Sequence, residues 1–363
     1  MKDKYWIGFS SIESLDSSFI LRLYNYFGDI EKAFYANQNE LKNIDGLSVK
    51  KTANFLKARD NLDLEKVYNG VIERGIKFFT FEDEKYPQLL KNIETPPAVL
   101  YYKGDINICN LDKTIAIVGS RKASFNGKEA LKYLISGLRN TDISIVSGLA
   151  SGMDTCAHLA AIENNLSTIG VIASGFDYVY PTSNKSLYEK IEKDCGVIMS
   201  EYYPTFEPLK FRFPQRNRIV TGLSYGTIVV EASLKSGALI SANLTLEQGR
   251  ELMCVPGLIT NPNTEGIFKL IKNGASIITK PEDILDALNW EIKAQDPKQL
   301  SLSDMDEDEI KIYKSLEVEE KGLDMISAET GLDVDSLLSY LTIMELKGII
   351  KAIEGDRFKK ADL

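Results

Sequence analysis

The sequence of 363 residues predicts an α/β protein built around a Rossmann-like, doubly wound parallel sheet. Short apolar runs rich in β-branched residues recur between positions 105 and 290, segments with helical spacing separate them, and turns rich in Gly, Ser and Arg follow several of them. Such apolar runs are typical of parallel strands that are covered on both faces. The runs are Ile115–Val118, Ile143–Val146, Ile169–Ala173, Val197–Met199 and Thr227–Val230, with Cys254–Val255 and Ile277–Ile278 as shorter candidates.

Length and composition allow two or three domains, since 44% of the residues are hydrophobic. The net charge of −9 argues against a non-specific binder of polyanions but leaves room for a local basic groove. The cysteines (Cys109, Cys156, Cys195 and Cys254) are far apart, so neither a zinc site nor a disulfide framework is expected. No signal peptide or membrane-spanning run is apparent. We expect a reduced cytoplasmic protein without a metal or a cofactor.

Residues 1–80 are predicted to form a small helical domain. Phe19, Leu23, Tyr26 and Phe27 fall at helical spacing, and Gly28 is the expected helix end. Gly46 and Ser48 then interrupt one helix and cap the next, which resembles a helix-hairpin-helix that grips a phosphate backbone. A purely structural helical bundle is the alternative.

The Rossmann-like domain is assigned to residues 81–290, and its first part is a Pro-rich approach strand and linker from Tyr86 to Gly104. Glycine, serine and arginine follow its first parallel strand as Gly119, Ser120 and Arg121, where the amides at a helix N-terminus collect anions. The next glycine is Gly127, so the pattern of a dinucleotide site is absent. We expect a phosphate contact here. A plain helix cap is the alternative.

One basic segment, Lys210–Arg218, dominates the functional prediction. It contains four cations (Lys210, Arg212, Arg216 and Arg218) and two aromatic rings (Phe211 and Phe213), and no Asp or Glu lies between Glu207 and Glu231. Cations pair with phosphates and rings stack on bases, so the segment suits single-stranded nucleic acid. A solvated charged loop is the alternative.

Other polar residues allow more than one role. Asp154 and the only histidine, His158, lie four residues apart, so we expect a hydrogen bond between them within a helix. The enzymatic alternative makes Ser147 or Ser151 a nucleophile with His158 as its base. Lys185, at the head of a helix, either reaches a phosphate or is an ordinary exposed lysine. Glu231 is either a hydrolytic carboxylate or a partner for Arg216 or Arg218.

A polar linker is expected at residues 291–303 and a winged-helix domain at residues 304–363. A helix through Leu337, Leu338, Leu341 and Met344 is predicted to end at Lys347-Gly348, and residues 349–358 to form a hairpin. From Asp304 onward there are 16 acidic and eight basic residues, a net charge of −8. This acidity favours protein contact or regulation over DNA reading.

The ordered set of motifs over about residues 80–290 closely resembles the DNA-processing protein A family, also called DprA or Smf. The motifs are Ala116–Arg121, Ile145–Gly152 with Asp154 and Ala157-His158, Tyr180-Pro181 with Asn184, Phe213-Pro214 with Arg216–Arg218, Val229–Ala232 with Ser236-Gly237, and Gly249-Arg250 with Val255–Gly257. The flanking segments are similar to the family's N-terminal SAM-like or helix-hairpin-helix unit and its C-terminal winged helix.

The resemblance implies a bacterial protein, not an enzyme, that binds single-stranded DNA through its Rossmann-like domain. It also implies homodimers, protection of incoming DNA in natural transformation, and loading of the recombinase RecA on that DNA. By position, Gly119, Ser120, Arg121, Arg216 and Arg218 would lie at the phosphates with Asn217 as polar support. Less strict matches extend the DNA-binding set to Lys185, Lys210, Phe211 and Arg212.

A nucleotide-binding hydrolase, of the lysine-decarboxylase-like or phosphoribohydrolase type, is the alternative. It would need a Gly-Gly-rich loop beside a catalytic glutamate. The chain has only part of this pattern, in Tyr225-Gly226-Thr227 and Glu231.

Overall fold

The computed structural model describes residues 2–291, 307–316, 320–346, 349–353 and 357–360. The chain forms two compact units, Met1–Ile292 and Lys293–Leu363. The predicted linker, apart from Glu291, and the predicted helix end at Lys347-Gly348 lie outside the described residues. The three-domain division at 1–80, 81–290 and 304–363 stays a prediction.

Within the described residues, the first unit contains a nine-stranded sheet. Its strands are β1 (Lys77–Thr80), β2 (Val99–Gly104), β3 (Thr114–Val118), β4 (Ser144–Ser147), β5 (Ser167–Val171), β6 (Gly196–Ser200), β7 (Gly226–Val229), β8 (Glu251–Cys254) and β9 (Ser276–Ile277). The order is β1-β2-β6-β5-β4-β3-β7-β8-β9. From β6 to β9 all neighbours are parallel, whereas β2 pairs antiparallel with β1 and β6. The predicted fold class is confirmed.

Helices cover both faces of this sheet, as successive residues of β3 show. Ile115 and Ile117 pack in one core with Leu131, whereas Ala116 and Val118 pack in another. Because side chains alternate along a strand, burial on both sides explains the continuous apolar runs. The helices in chain order are α7 (Gln88–Lys91), α8 (Phe125–Ser136), α9 (Met153–Glu163), α10 (Lys185–Lys190), α11 (Arg212–Gly222), α12 (Ala238–Glu247), α13 (Glu265–Lys272) and α14 (Pro281–Leu288).

The N-terminal part of the first unit is helical, as predicted. Its helices are α1 (Asp3–Ser10), α2 (Ser17–Phe27), α3 (Ile30–Tyr35), α4 (Gln38–Lys42), α5 (Val49–Arg59) and α6 (Leu64–Ile72). Gly28 ends α2 in the left-handed conformation, at φ 65°, and the Ser48 side chain caps α5 by accepting from the Lys51 amide. Strand β1 was not predicted in this segment. It adds to the sheet through its pairing with β2.

The second unit has the helices α15 (Glu307–Ser315), α16 (Leu323–Thr330) and α17 (Val334–Leu346) and the strands β10 (Lys321–Gly322), β11 (Ile350–Ile353) and β12 (Arg357–Lys360). Its small sheet has the order β10-β12-β11. Ile312, Ile326, Leu337 and Phe358 share one apolar core. The predicted helix and hairpin of a winged helix are confirmed.

Candidate nucleic-acid interface

The loops after β3 and β4 lie against each other at the carboxyl edge of the sheet. Gly152 has a φ of 87°, and a Cβ built on it would lie 2.4 Å from the Ser120 carbonyl oxygen. The Met153 amide donates a hydrogen bond of 3.0 Å to the same oxygen. Only glycine allows the backbone at position 152 to come this close to the Ser120 carbonyl. Gly152 therefore holds the Ser120-Arg121 turn against the loop after β4.

Arg121 is exposed and lies over an aromatic ring. Its guanidinium carbon is 5.5 Å from the ring centroid of Phe213, and the Phe213 and Tyr180 centroids are 5.4 Å apart. Tyr180 is 48% exposed. We call Arg121, Tyr180 and Phe213 the exposed cluster. It joins three separate parts of the chain and presents a phosphate-pairing fork beside stacking rings.

Helix α11 contains most of the basic segment, so the alternative of a solvated loop is wrong. Lys210 and Phe211 precede the helix and are exposed, Phe211 by 58%. Arg212 and Arg216 are only 2% and 3% exposed. The expectation that these two arginines contact phosphates directly is therefore corrected, because they have almost no surface to offer a ligand.

Arg216 lies beneath the ends of β4 and β5. Its Nη1 donates to the carbonyl oxygens of Gly148 and Val171, and a Cβ on Gly148 would come within 2.6 Å of the guanidinium. Burial raises the pKa of the nearby Asp154, although Arg216 opposes that rise. We call Gly148, Asp154, Val171 and Arg216 the buried layer. The hydrogen bonds of Arg216 connect the ends of β4 and β5 beneath the surface.

Arg212 is held by the surrounding backbone and rings. Its Nη1 donates to the Glu207 carbonyl oxygen at 2.5 Å, and its Nη2 donates to Glu13 Oε1 at 2.6 Å. The ring centroids of Tyr202 and Phe206 lie 4.9 and 5.1 Å from its guanidinium carbon. The bond to Glu13 links the start of α11 to the turn between α1 and α2.

Arg218 is paired within the protein. Its Nη2 donates to Glu201 Oε1 at 2.5 Å, where Ser17 Oγ also donates at 2.6 Å, and its side chain is 16% exposed. Asn217 is partly exposed. The phosphate role of Arg218 and the supporting role of Asn217 stay predictions.

Lys185 is exposed at the start of α10. The preceding Asn184 fixes this helix, since its Nδ2 donates to the Leu149 carbonyl oxygen at 3.0 Å and to Thr155 Oγ1 at 2.9 Å. The motif residue Asn184 therefore ties the loop after Tyr180-Pro181 to the loop after β4. A phosphate contact by Lys185 stays a prediction.

Glu231 does not hold Arg216 or Arg218, so that expectation is wrong. It is 3% exposed and accepts hydrogen bonds from Ser124, from the amide at 2.9 Å and from Oγ at 2.5 Å. Ser124 is the N-cap of α8, so Glu231 supports the start of that helix.

The expected bond between Asp154 and His158 is also wrong. His158 Nδ1 lies 2.7 Å from Thr168 Oγ1, and Asp154 accepts from the Ala150 amide at 3.4 Å. Ser147 Oγ donates to the Ile117 carbonyl oxygen at 2.7 Å, so it forms no pair with the histidine. Burial lowers the pKa of His158 to about 3, and the ring is therefore neutral and structural at pH 7.

Neither a cluster of metal-ligating side chains nor a membrane-spanning helix occurs within the ranges that the structure describes. There, no group of three or more His, Cys, Asp or Glu side chains is placed to hold a metal ion. Over the same residues, no helix has the length and apolarity needed to cross a bilayer.

Comparison with known protein families shows which family the chain belongs to. The family model of DNA recombination-mediator protein A matches residues 77–289, more than half of the chain, and the DprA winged helix domain matches residues 294–356. The chain belongs to the DNA recombination-mediator protein A family. The resemblance drawn from the motifs is confirmed.

Relatives in this DprA family support the assignment. The chain is 43% identical to the DNA processing protein DprA of Streptococcus pneumoniae over 207 residues, covering 57% of this chain and 72% of that protein. It is 31% identical to the protein Smf of Escherichia coli over 362 residues, covering 96% of this chain and 94% of that protein.

Two solved DprA structures share the fold. The X-ray structure of the S. pneumoniae protein matches with a TM-score of 0.69 and 35% identity, covering 78% of this chain and 96% of that chain. DNA processing protein A from Helicobacter pylori, whose structure concerns its single-stranded DNA binding mode, matches with a TM-score of 0.53 and 30% identity. That match covers 59% of this chain and 98% of the H. pylori chain.

Sequence reasoning did not place Tyr180 or Gly148 among the site residues, and it named Phe213 only as a ring of the basic segment. Phe213 stood in the basic segment and Tyr180 in a loop after a strand, which are the signals that pointed to them. Their meeting over Arg121 depends on the tertiary fold, as does the packing of Gly148 against the Arg216 guanidinium.

Proposed function

We propose that this protein binds single-stranded DNA at the carboxyl edge of its parallel sheet and acts as a recombination mediator without chemistry of its own. The exposed cluster carries the proposal, because an exposed arginine over Phe213, beside Tyr180, combines phosphate pairing with base stacking. Lys210 and Phe211, both exposed, extend this surface at the start of α11. Family membership supports the same reading.

The residues of this interface divide into two groups. Gly119, Ser120, Arg121, Lys185, Lys210 and Phe211 would face the strand, and Arg218 would join them once its pairing with Glu201 is exchanged. Arg212, Arg216 and Asn217 would shape the surface from behind. Removing a buried partner moves a surface residue by small distances, so these inner residues affect binding indirectly.

The partners follow from the family resemblance. We propose that the protein forms homodimers, acts in the cytoplasm, protects DNA taken up in natural transformation, and loads RecA on it. Sedimentation of the purified chain tests the dimer, and RecA strand exchange with and without the protein tests the loading.

The position of Glu231 argues against the hydrolase alternative. Glu231 is buried and both of its oxygens accept hydrogen bonds from Ser124, so it has no open side toward a nucleotide. Release of free base from nucleoside monophosphates by the purified protein would restore that alternative.

The deciding experiment is fluorescence anisotropy of a labelled oligo-dT at several salt concentrations, beside a duplex of equal length. We expect tight, salt-sensitive binding that favours the single strand, because bases are free to stack only in the single strand. Equal or stronger binding of the duplex, or no binding at low salt, would contradict the proposal.

A further inference from the structure

A second concave site lies between the N-terminal helices and α11. It is a cleft of about 440 Å³, bordered by the turn between α1 and α2, the segment after β6 and the start of α11. Ligand pockets in proteins commonly measure about 300–1,000 Å³. The cleft therefore has room for a nucleoside-sized group.

The walls of the cleft are polar and close to neutral. Glu13 and Glu201 are paired with Arg212 and Arg218, which also line the cleft, and Asp16 is paired with Lys51. The Glu13 and Asp16 side chains are nevertheless 59% and 50% exposed, and a carboxylate can accept more hydrogen bonds than these pairs use. Exposed carboxylates disfavour a phosphate and favour a neutral group that donates hydrogen bonds.

The cleft also has an exposed donor. Gln215 lines the cleft and is exposed. Its Oε1 accepts a hydrogen bond of 3.2 Å from the Tyr202 hydroxyl, so its Nε2 is the group that can donate to a ligand. The cleft is therefore suited to a ligand that also offers an acceptor.

The cleft shares the start of α11 with the proposed DNA surface. Phe211, which belongs to that surface, lines the cleft and is 58% exposed. The exposed Lys210 precedes it in the chain. A strand that contacts Lys210 and Phe211 would therefore have a phosphate partner and a stacking ring beside the cleft.

We propose that this cleft takes one nucleobase with an exocyclic amino group, with cytosine the best fit, from the bound single strand. The inference rests on the proposed DNA-binding function and adds a base-selective subsite to it. The amino group donates to the carboxylates of Glu13 and Asp16, as carboxylates accept from the cytosine amine in DNA grooves. The cytosine carbonyl accepts from the Gln215 amide. Thymine has no amino group to donate.

The test compares oligo-dC and oligo-dT of equal length by anisotropy at one salt concentration. We expect the wild type to bind oligo-dC about tenfold more tightly, the usual discrimination of one specific base contact. Glu13→Ala should bring the ratio of the two affinities close to one. Glu65→Ala removes a carboxylate that is 66% exposed, in the same N-terminal part but outside the cleft, and should keep the wild-type ratio.

Glu13→Ala is expected to fold, because Arg212 retains the Glu207 carbonyl and its aromatic neighbours; a thermal melt checks this. Binding of neither oligonucleotide would contradict the proposed function itself. Tight binding of both with equal affinity would overturn the subsite alone, as would an unchanged ratio in Glu13→Ala.

Free deoxycytidine and an oligolysine peptide complete the design. Deoxycytidine that competes only against oligo-dC, and only in the wild type, would support the base subsite with the strand as its natural source. Deoxycytidine that binds wild type as tightly as oligo-dC does would overturn the strand as the source. Oligolysine binding that Glu13→Ala abolishes, with equal oligonucleotide affinities, would overturn the subsite in favour of a basic protein segment.

Discussion

The exposed cluster and the buried layer lie at the same edge of the sheet and use arginine differently. In the exposed cluster, the Arg121 side chain faces solvent over the Phe213 ring. In the buried layer, the Arg216 guanidinium donates to carbonyl oxygens at the ends of two strands and has 3% of its surface exposed. The first arrangement leaves a cation free to bind a ligand, whereas the second uses one to hold the protein together.

This difference shows why a basic segment is a poor guide to which cations bind. Residues two apart on a helix point about 200° apart, so Arg216 and Arg218 face different surroundings although both stand in one motif. Arg216 faces the sheet, and Arg218 faces Glu201. Mutations should therefore separate stability from DNA affinity.

The largest expected effect is on stability, in Arg216→Ala. We expect the free energy of unfolding to fall by about 3–5 kcal/mol, since a buried charge network loses one partner and Asp154 stays buried without a neighbouring guanidinium. Urea denaturation measures the change. Arg139→Ala, at an exposed position, should change it by less than about 0.5 kcal/mol. An Arg216→Ala protein with wild-type stability and weakened DNA binding would move Arg216 into the ligand-binding group.

Arg121→Glu should give the largest loss of DNA affinity. We expect about a 10- to 100-fold loss at low salt, because a phosphate contact is replaced by repulsion. Arg121→Ala should reduce the slope of log affinity against log salt by about one. Anisotropy measures both, and unfolding should be unchanged because Arg121 is exposed. Arg139→Glu is the matched charge reversal; an equal loss there would mean that net charge, and not this site, governs binding.

His158, which is buried near Arg216 of the buried layer, predicts a pH dependence of stability. Burial and the neighbouring Arg216 lower the pKa of His158 from 6.5 to about 3 in the folded state. Protonation of His158 is therefore unfavourable in the folded protein. The contribution of the neutral His158 to the free energy of unfolding is present above pH 6.5 and is lost as the pH falls toward 3. The loss is about 1.4 kcal/mol per pH unit, roughly 2 kcal/mol between pH 6.5 and 5.

His158→Gln isolates this effect in urea denaturation at a series of pH values. Asp154, whose raised pKa acts in the opposite direction, titrates in both proteins, so the difference between them reports the histidine. An identical pH dependence in the two proteins would show that folding does not lower the pKa of His158.

Phe213→Ala tests the aromatic half of the exposed cluster. We expect about a tenfold loss of single-strand affinity, as stacking contributes about 1–3 kcal/mol per base. The salt dependence should stay the same because no charge is removed. Tyr35→Ala removes a ring that is 61% exposed in the N-terminal helices, and should bind like wild type. A changed salt slope in Phe213→Ala would mean that the ring acts by holding Arg121 in place.

The strands of the parallel sheet were predictable, because both faces are buried and each strand therefore reads as an apolar run such as Ile115–Val118. The turn at Gly119 was predictable as well, from its position between a strand and a helix. Strand β1 was not, since Lys77–Thr80 is a short strand that pairs antiparallel at the sheet edge. Edge strands are short and half-covered, so their pattern is weak.

The positions of charged side chains were the least predictable feature. Composition shows that Arg212 and Arg216 are cations, but only the tertiary fold shows which carbonyl oxygens and rings surround them. The partner of Glu231 illustrates the same limit: the expected arginine is replaced by Ser124, which lies 107 residues away in the chain. Polar contacts between distant segments leave no local pattern in a sequence.

The smallest expected effect on DNA binding comes from the winged-helix unit, which has a net charge of −8 from Asp304 onward. Asp333 precedes α17 and accepts hydrogen bonds from Ser336, from the amide at 3.0 Å and from Oγ at 2.7 Å. Asp333→Ala should destabilise this unit by about 1 kcal/mol through the lost cap. Hydrogen exchange of the α17 amides in the full chain measures that loss.

Single-strand affinity should change less than about twofold in Asp333→Ala, because removing one acidic charge from a strongly acidic unit creates no phosphate contact. Anisotropy of oligo-dT, run beside Arg121→Glu, gives the comparison directly. If Asp333→Ala weakened binding as much as Arg121→Glu does, the strand would have to contact the winged helix. The winged helix and the exposed cluster would then both be DNA-binding sites.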